Sequence, residues 1–65
     1  MDLKNIESFV QVAELGSFTK AASALGYSQS TISFQIKQLE DSLGIPLFER
    51  IGHRIRLTHK GSEIL

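Results

Sequence analysis

Apolar residues recur at helical spacing over the first two thirds of the chain and at strand spacing after Pro46. Leu3, Ile6, Phe9, Val10 and Ala13 share one face of a helix over roughly residues 3–15, with Asp2 placed to cap its start and Gly16 to end it. Ser17 caps a second, shorter helix, whose Phe18, Ala21, Ala22 and Leu25 stand at i, i+3, i+4 and i+7 before Gly26 stops it. Two alanines on that face let another helix approach closely, as a tight tripod requires. After a turn at Gly26 and Tyr27, Ser28 opens a third helix, 28–43, which Gly44 closes. Ile32, Ile36, Leu39 and Leu43 form its apolar stripe.

Beyond Pro46 the period changes to two. Phe48 and Arg50 lie on one side of a strand, Gly52 sits in a turn, and Arg54 and Arg56 alternate with Ile55 and Leu57. Thr58 then caps a further helix with too few residues before Leu65 to be stable alone. The pattern predicts a mainly α fold: a three-helix core, a two-stranded β-hairpin or wing, and the start of another helix.

Sixty-five residues make one small domain with no room for a deep catalytic pocket. Cysteine is absent, so the core must hold by packing, and neither a disulfide scaffold nor a thiolate metal site is expected. No stretch approaches the roughly 20 apolar residues of a membrane span, and charges interrupt the N-terminal segment where a signal peptide would be apolar. A soluble, cytoplasmic location is the expectation, with no membrane partner.

A formal net charge of zero argues at first against nucleic acid. The distribution changes that picture. In residues 1–16 Lys4 stands against Asp2, Glu7 and Glu14, whereas in residues 44–60 Arg50, Arg54, Arg56 and Lys60 stand against Glu49 alone. The C-terminal third is a basic stripe.

At about 100° per residue, Ser30, Phe34, Lys37 and Asp41 point away from the apolar stripe of the third helix, with Ser33 and Gln38 beside them. Two short helices joined by a Gly-containing turn, the second with a polar outward face, match the helix-turn-helix, whose second helix enters the major groove. Gln29 has the groups to pair with an adenine edge, Ser30 and Ser33 to hydrogen-bond bases or phosphates, and Lys37 to reach guanine or the backbone. Phe34 is the odd member, a phenyl ring suited to a thymine methyl or the edge of a base step. His53 and His59, with no cysteine or carboxylate cluster beside them, fall short of a zinc shell. Nothing gathers Ser, His and Asp at a pocket, so no enzyme is expected.

The segment SFTKAASALGYSQSTISFQIKQLEDSLGIPLFER, Ser17 to Arg50, followed by RIRLTHKG, Arg54 to Gly61, resembles the N-terminal DNA-binding domain of LysR-type transcriptional regulators. Ser17, Phe18, Ala21, Ala22, Ser28, Gln29, Ser33, Ile36, Leu39, Glu40, Leu43, Gly44, Pro46, Leu47, Phe48, Arg50, Leu57, Thr58 and Gly61 carry the likeness, which spans essentially the whole chain. The resemblance implies a winged helix-turn-helix over residues 1–57 and, over 58–65, the truncated start of a linker helix through which subunits pair. It implies a bacterial regulator with no cofactor in this domain and a small-molecule effector for a missing C-terminal domain. Homodimers or homotetramers of the parent would bind double-stranded DNA at an interrupted inverted repeat, while the isolated domain would be a monomer. Major-groove contact carries over to Ser28, Gln29, Ser30, Ser33, Phe34 and Lys37, and a minor-groove contact of the wing to Arg54. Thr31, Arg50 and Arg56 complete the candidate set. Phe34 departs from the family, where Arg is frequent at that position. The alternative reading is a winged-helix module that binds protein, which would be expected to lack the basic helix face and wing that this sequence retains.

Overall fold

The computed structural model describes residues 2–65, as α1 (Leu3–Leu15), α2 (Phe18–Leu25), α3 (Gln29–Leu43), β1 (Phe48–Ile51), β2 (Arg54–Leu57) and α4 (His59–Ile64). It is mainly helical, a winged helix-turn-helix in which α1, α2 and α3 pack pairwise on one another and β1 and β2 form an antiparallel hairpin. Side-chain caps open every helix. Asp2 accepts from the Lys4 N–H, Ser17 from Lys20, Ser28 from Thr31 and Thr58 from Gly61, each satisfying a first-turn donor that the helix itself cannot. At the end of α3, Gly44 takes φ +71 and returns its N–H to the Glu40 carbonyl, a left-handed conformation in which any side chain would be strained.

Phe9, Val12, Ala21, Ala22, Ile32, Ile36, Leu39 and Leu47 form the core. Ala21 and Ala22 are the close-approach surface of α2, as their size demands. Phe48 brings the wing onto this core by stacking edge-to-face with both Phe9 (5.6 Å) and Phe18 (5.8 Å).

The buried face of α1 differs from the expected one. Leu3 is 80% exposed, and Val10 and Ala13 are only half-buried. Asn5, Ser8, Phe9 and Val12 face inward instead, at i, i+3, i+4 and i+7. Apolarity misphases this helix because two of its inward positions are polar, and α3 supplies partners for both. Asn5 Nδ2 donates to Gln38 Oε1 at 3.1 Å, and Ser8 donates to the carboxamide oxygen of Gln35. Among the described residues no buried side-chain polar atom lacks a partner, so the strip avoids the penalty of an unmet group. Gln38, expected on the outward side of α3, is thus engaged with α1.

The wing joins the body through the loop after α3. Glu40 Oε2 accepts from the Leu47 N–H at 2.7 Å, the Leu47 carbonyl accepts from the Thr58 N–H at 3.0 Å, and Thr58 Oγ1 donates to the Pro46 carbonyl at 2.7 Å. Gly61 lies so close to the Leu47 backbone that a Cβ there would collide with its carbonyl oxygen. The first turn of α4 is therefore tied to the same loop that carries the wing.

Candidate nucleic-acid interface

Helix α3 has two faces with different duties. Ile32, Gln35, Ile36 and Leu39 are buried against α1 and α2, while Ser30, Ser33, Phe34 and Lys37 are exposed on the opposite side. The sequence placed these four together, and the structure keeps them on one stripe. At its head, the N–H groups of Gln29 and Ser30 occupy helix positions with no intrahelical acceptor, and the helix dipole leaves positive potential there. This end of α3 suits an anionic oxygen.

The remaining first-turn candidates carry structural duties. Ser28 Oγ accepts from the Thr31 N–H at 3.1 Å and lies 3.0 Å from the Thr31 hydroxyl. Thr31 is half-buried. Gln29 is exposed, but its Oε1 sits 3.5 Å from Thr19 Oγ1 on α2, so pairing with both atoms of an adenine edge requires the amide to leave that long contact.

The register of the hairpin divides its basic residues. Phe48 opposes Leu57 and Arg50 opposes Ile55, whereas Glu49 opposes Arg56 and Ile51 opposes Arg54. Directly opposed residues share a face, so Phe48, Arg50, Ile55 and Leu57 turn toward the body, and Arg54 and Arg56 lie on the other side. Gly52, at φ +64, occupies the first of two loop positions, where such a tight hairpin turn asks for glycine.

Arg50 is the residue that folding places most informatively. It borders a cleft shared with Ser33 and Lys37 of α3, and a second cleft, of about 230 Å³, shared with Ser17, Thr19, Gln29 and His53. The heads of α2 and α3 and a guanidinium from the wing thus meet in one place. Sequence spacing gave no sign of this, because Gln29 and Arg50 are far apart in the chain and are brought together by tertiary packing, the Phe18–Phe48 stack and the Glu40–Leu47 bond among it.

Glu49 pairs across the strands with Arg56, Nε to Oε1 at 2.7 Å, and not with the adjacent Arg50. Adjacent strand residues point to opposite faces, which separates Glu49 from Arg50 and sets it beside Arg56. Lys37 Nζ lies 3.5 Å from Asp41 one turn on, with both side chains largely exposed, a pairing weak enough to be exchanged for a phosphate. His53 and His59 are not part of any group of three or more His, Asp or Glu residues able to hold a metal among the described residues. Nor, among them, is any helix long and apolar enough to cross a membrane.

Known proteins resemble this arrangement along nearly its full length. The family model for the bacterial regulatory helix-turn-helix protein, lysR family, matches residues 3–62. The HTH-type transcriptional activator CmpR of Synechocystis is 48% identical over 97% of the chain, which covers 21% of that protein. The crystal structure of the BenM DBD with benA site 1 DNA superposes with a TM-score of 0.92 at 42% identity, covering 98% of this chain and 72% of that one. The CbnR DBD–DNA complex gives 0.94 at 38% identity, with 100% and 75% covered. The chain spans about a fifth of the length of CmpR and of several other curated relatives it matches.

Proposed function

The chain belongs to the lysR family of bacterial regulatory helix-turn-helix proteins, and from that premise we propose that it reads double-stranded DNA for a LysR-type transcriptional regulator, a non-enzymatic role. The observation that carries this reading is the exposed stripe of Ser30, Ser33, Phe34 and Lys37 on α3, backed by a buried face and flanked by Arg50. In this role α3 lies in the major groove, with Ser30, Ser33 and Phe34 toward base edges and Gln29 and Lys37 toward a base or the backbone. Arg50 and the heads of α2 and α3 hold phosphate, and Arg54 at the wing's edge approaches the flanking minor groove. Ser28 and Thr31 act chiefly by shaping the head of α3, and Arg56 contributes once released from Glu49.

Residues 1–57 form the reading unit in this proposal, and the helix opened by Thr58 leads into a linker that pairs subunits as homodimers or homotetramers. Pairing two reading heads suits an interrupted inverted repeat. A further domain of the parent protein would take a small-molecule effector, with no cofactor needed here. The site of action is the cytoplasm, on the nucleoid when bound.

The test is selection of sites from a random duplex pool with this chain fused to a dimerising coiled coil. Recovery of an inverted repeat supports the proposal. Failure to enrich any sequence at low salt removes it in favour of a module that binds protein.

A further inference from the structure

We propose that Phe34 reads the C5-methyl group of thymine, so that the half-site this chain prefers carries a thymine facing the middle of the exposed stripe of α3. The inference rests on the DNA-reading role proposed above.

Of the four phenylalanines, Phe9, Phe18 and Phe48 stack together in and around the core. Phe34 stands apart. It is 64% exposed, belongs neither to the core nor to the residues packed against it, and has no aromatic neighbour among the described residues. A single exposed apolar side chain is ordinary on a protein surface. What sets this ring apart is its position, one turn from Ser30, beside Ser33 and one turn before Lys37, in the centre of a face otherwise made of hydrogen-bonding groups.

In the major groove the base edges present donors, acceptors and one apolar group, the thymine C5-methyl. A phenyl ring offers neither donor nor acceptor for the former and a large apolar surface for the latter. Facing guanine O6 and N7 or the cytosine amino group, it would strip water from polar atoms without replacing their hydrogen bonds. Thymine is therefore the base whose exposed edge the ring complements. With a rise of about 1.5 Å per residue, the four residues from Ser30 to Phe34 span about 6 Å, which places this thymine within about two base steps of the edge that Ser30 meets.

Burial of one methyl group corresponds to about a fourfold change in affinity. The experiment begins with a duplex selected by this chain, in which each thymine is replaced in turn by deoxyuridine, a change that removes only the methyl group. Affinities are measured for the wild type and for Phe34→Ala, whose fold is checked by far-ultraviolet circular dichroism. The expected result is one thymine per half-site at which uracil weakens the wild type about fourfold and leaves Phe34→Ala within about 1.5-fold. Phe34→Leu, which keeps an apolar tip, retains part of the discrimination. A cytosine at the same position gains affinity for the wild type when its C5 is methylated.

If no thymine shows a uracil penalty, or if the penalty persists in Phe34→Ala, the proposal is overturned and the ring is left for another partner, such as a protein. Failure of the selection itself would remove the DNA-reading role, a result distinct from selective binding that ignores the methyl group.

Discussion

Lys37 on α3 and Arg54 on the wing are exposed cations, and the salt dependence of binding tests each separately. Lys37→Ala and Arg54→Ala are expected to weaken DNA binding and to flatten the slope of log K against log salt by up to about 0.9 for each phosphate left without its cation. Unchanged slopes in titrations from low to moderate salt would show that neither cation meets a phosphate. Ser33→Ala belongs to the other category. If its hydroxyl meets a base edge, the variant changes the preferred sequence more than the overall affinity, which competition between selected and mismatched duplexes would measure. The stripe holding Ser30, Ser33, Phe34 and Lys37 was legible in the sequence because the apolar residues of α3, Ile32, Ile36 and Leu39, fix the side opposite to it. Alternation likewise placed Arg50 and Arg56 on their sides of the wing, but the groups they meet were not legible. Their surroundings depend on strand register and on packing between segments distant in the chain, about which neighbouring residues are silent.

At the scale of elements, the hairpin and the fourth helix were legible in alternation and capping, whereas the inward face of α1 was misphased. Hydropathy cannot register a buried Asn5 or Ser8 whose partners lie on another helix. The wing's cross-strand pair makes a separate prediction. Glu49→Ala should release Arg56, leaving stability nearly unchanged because the pair is exposed, while raising affinity for nonspecific duplex and steepening its salt dependence. A wing whose binding is indifferent to Glu49 would place Arg56 away from the phosphates. The join between α3, the wing and α4 is tested by Gly61→Ala. Its new methyl group meets the Leu47 carbonyl, so stability should fall by about 1–3 kcal/mol and the thermal midpoint by about 7–20 °C. An unaltered melt would mean that α4 can shift without disturbing the loop.

For the molecule as a whole, a single reading head offers few groups to DNA, and α4 exposes Ile64 and Leu65 at its end. Sedimentation of this chain should show a monomer that binds one half-site weakly, and joining two copies should recover affinity through effective concentration without any new interaction with DNA. Equal binding by single and joined chains on a two-half-site duplex would mean that the heads cannot reach both halves together. The hydrogen bonds from Asn5 and Ser8 to Gln38 and Gln35 have a further consequence for how such a molecule can be altered. Apolar ridges tolerate several rotations of one helix on another, but directional bonds single out one. The orientation of α3 is thus specified from behind, by side chains engaged with α1. Its outward residues form an exchangeable cassette: a relative's side chains at positions 30, 33, 34 and 37 can be grafted here with Gln35 and Gln38 retained, and should carry that relative's target preference with them.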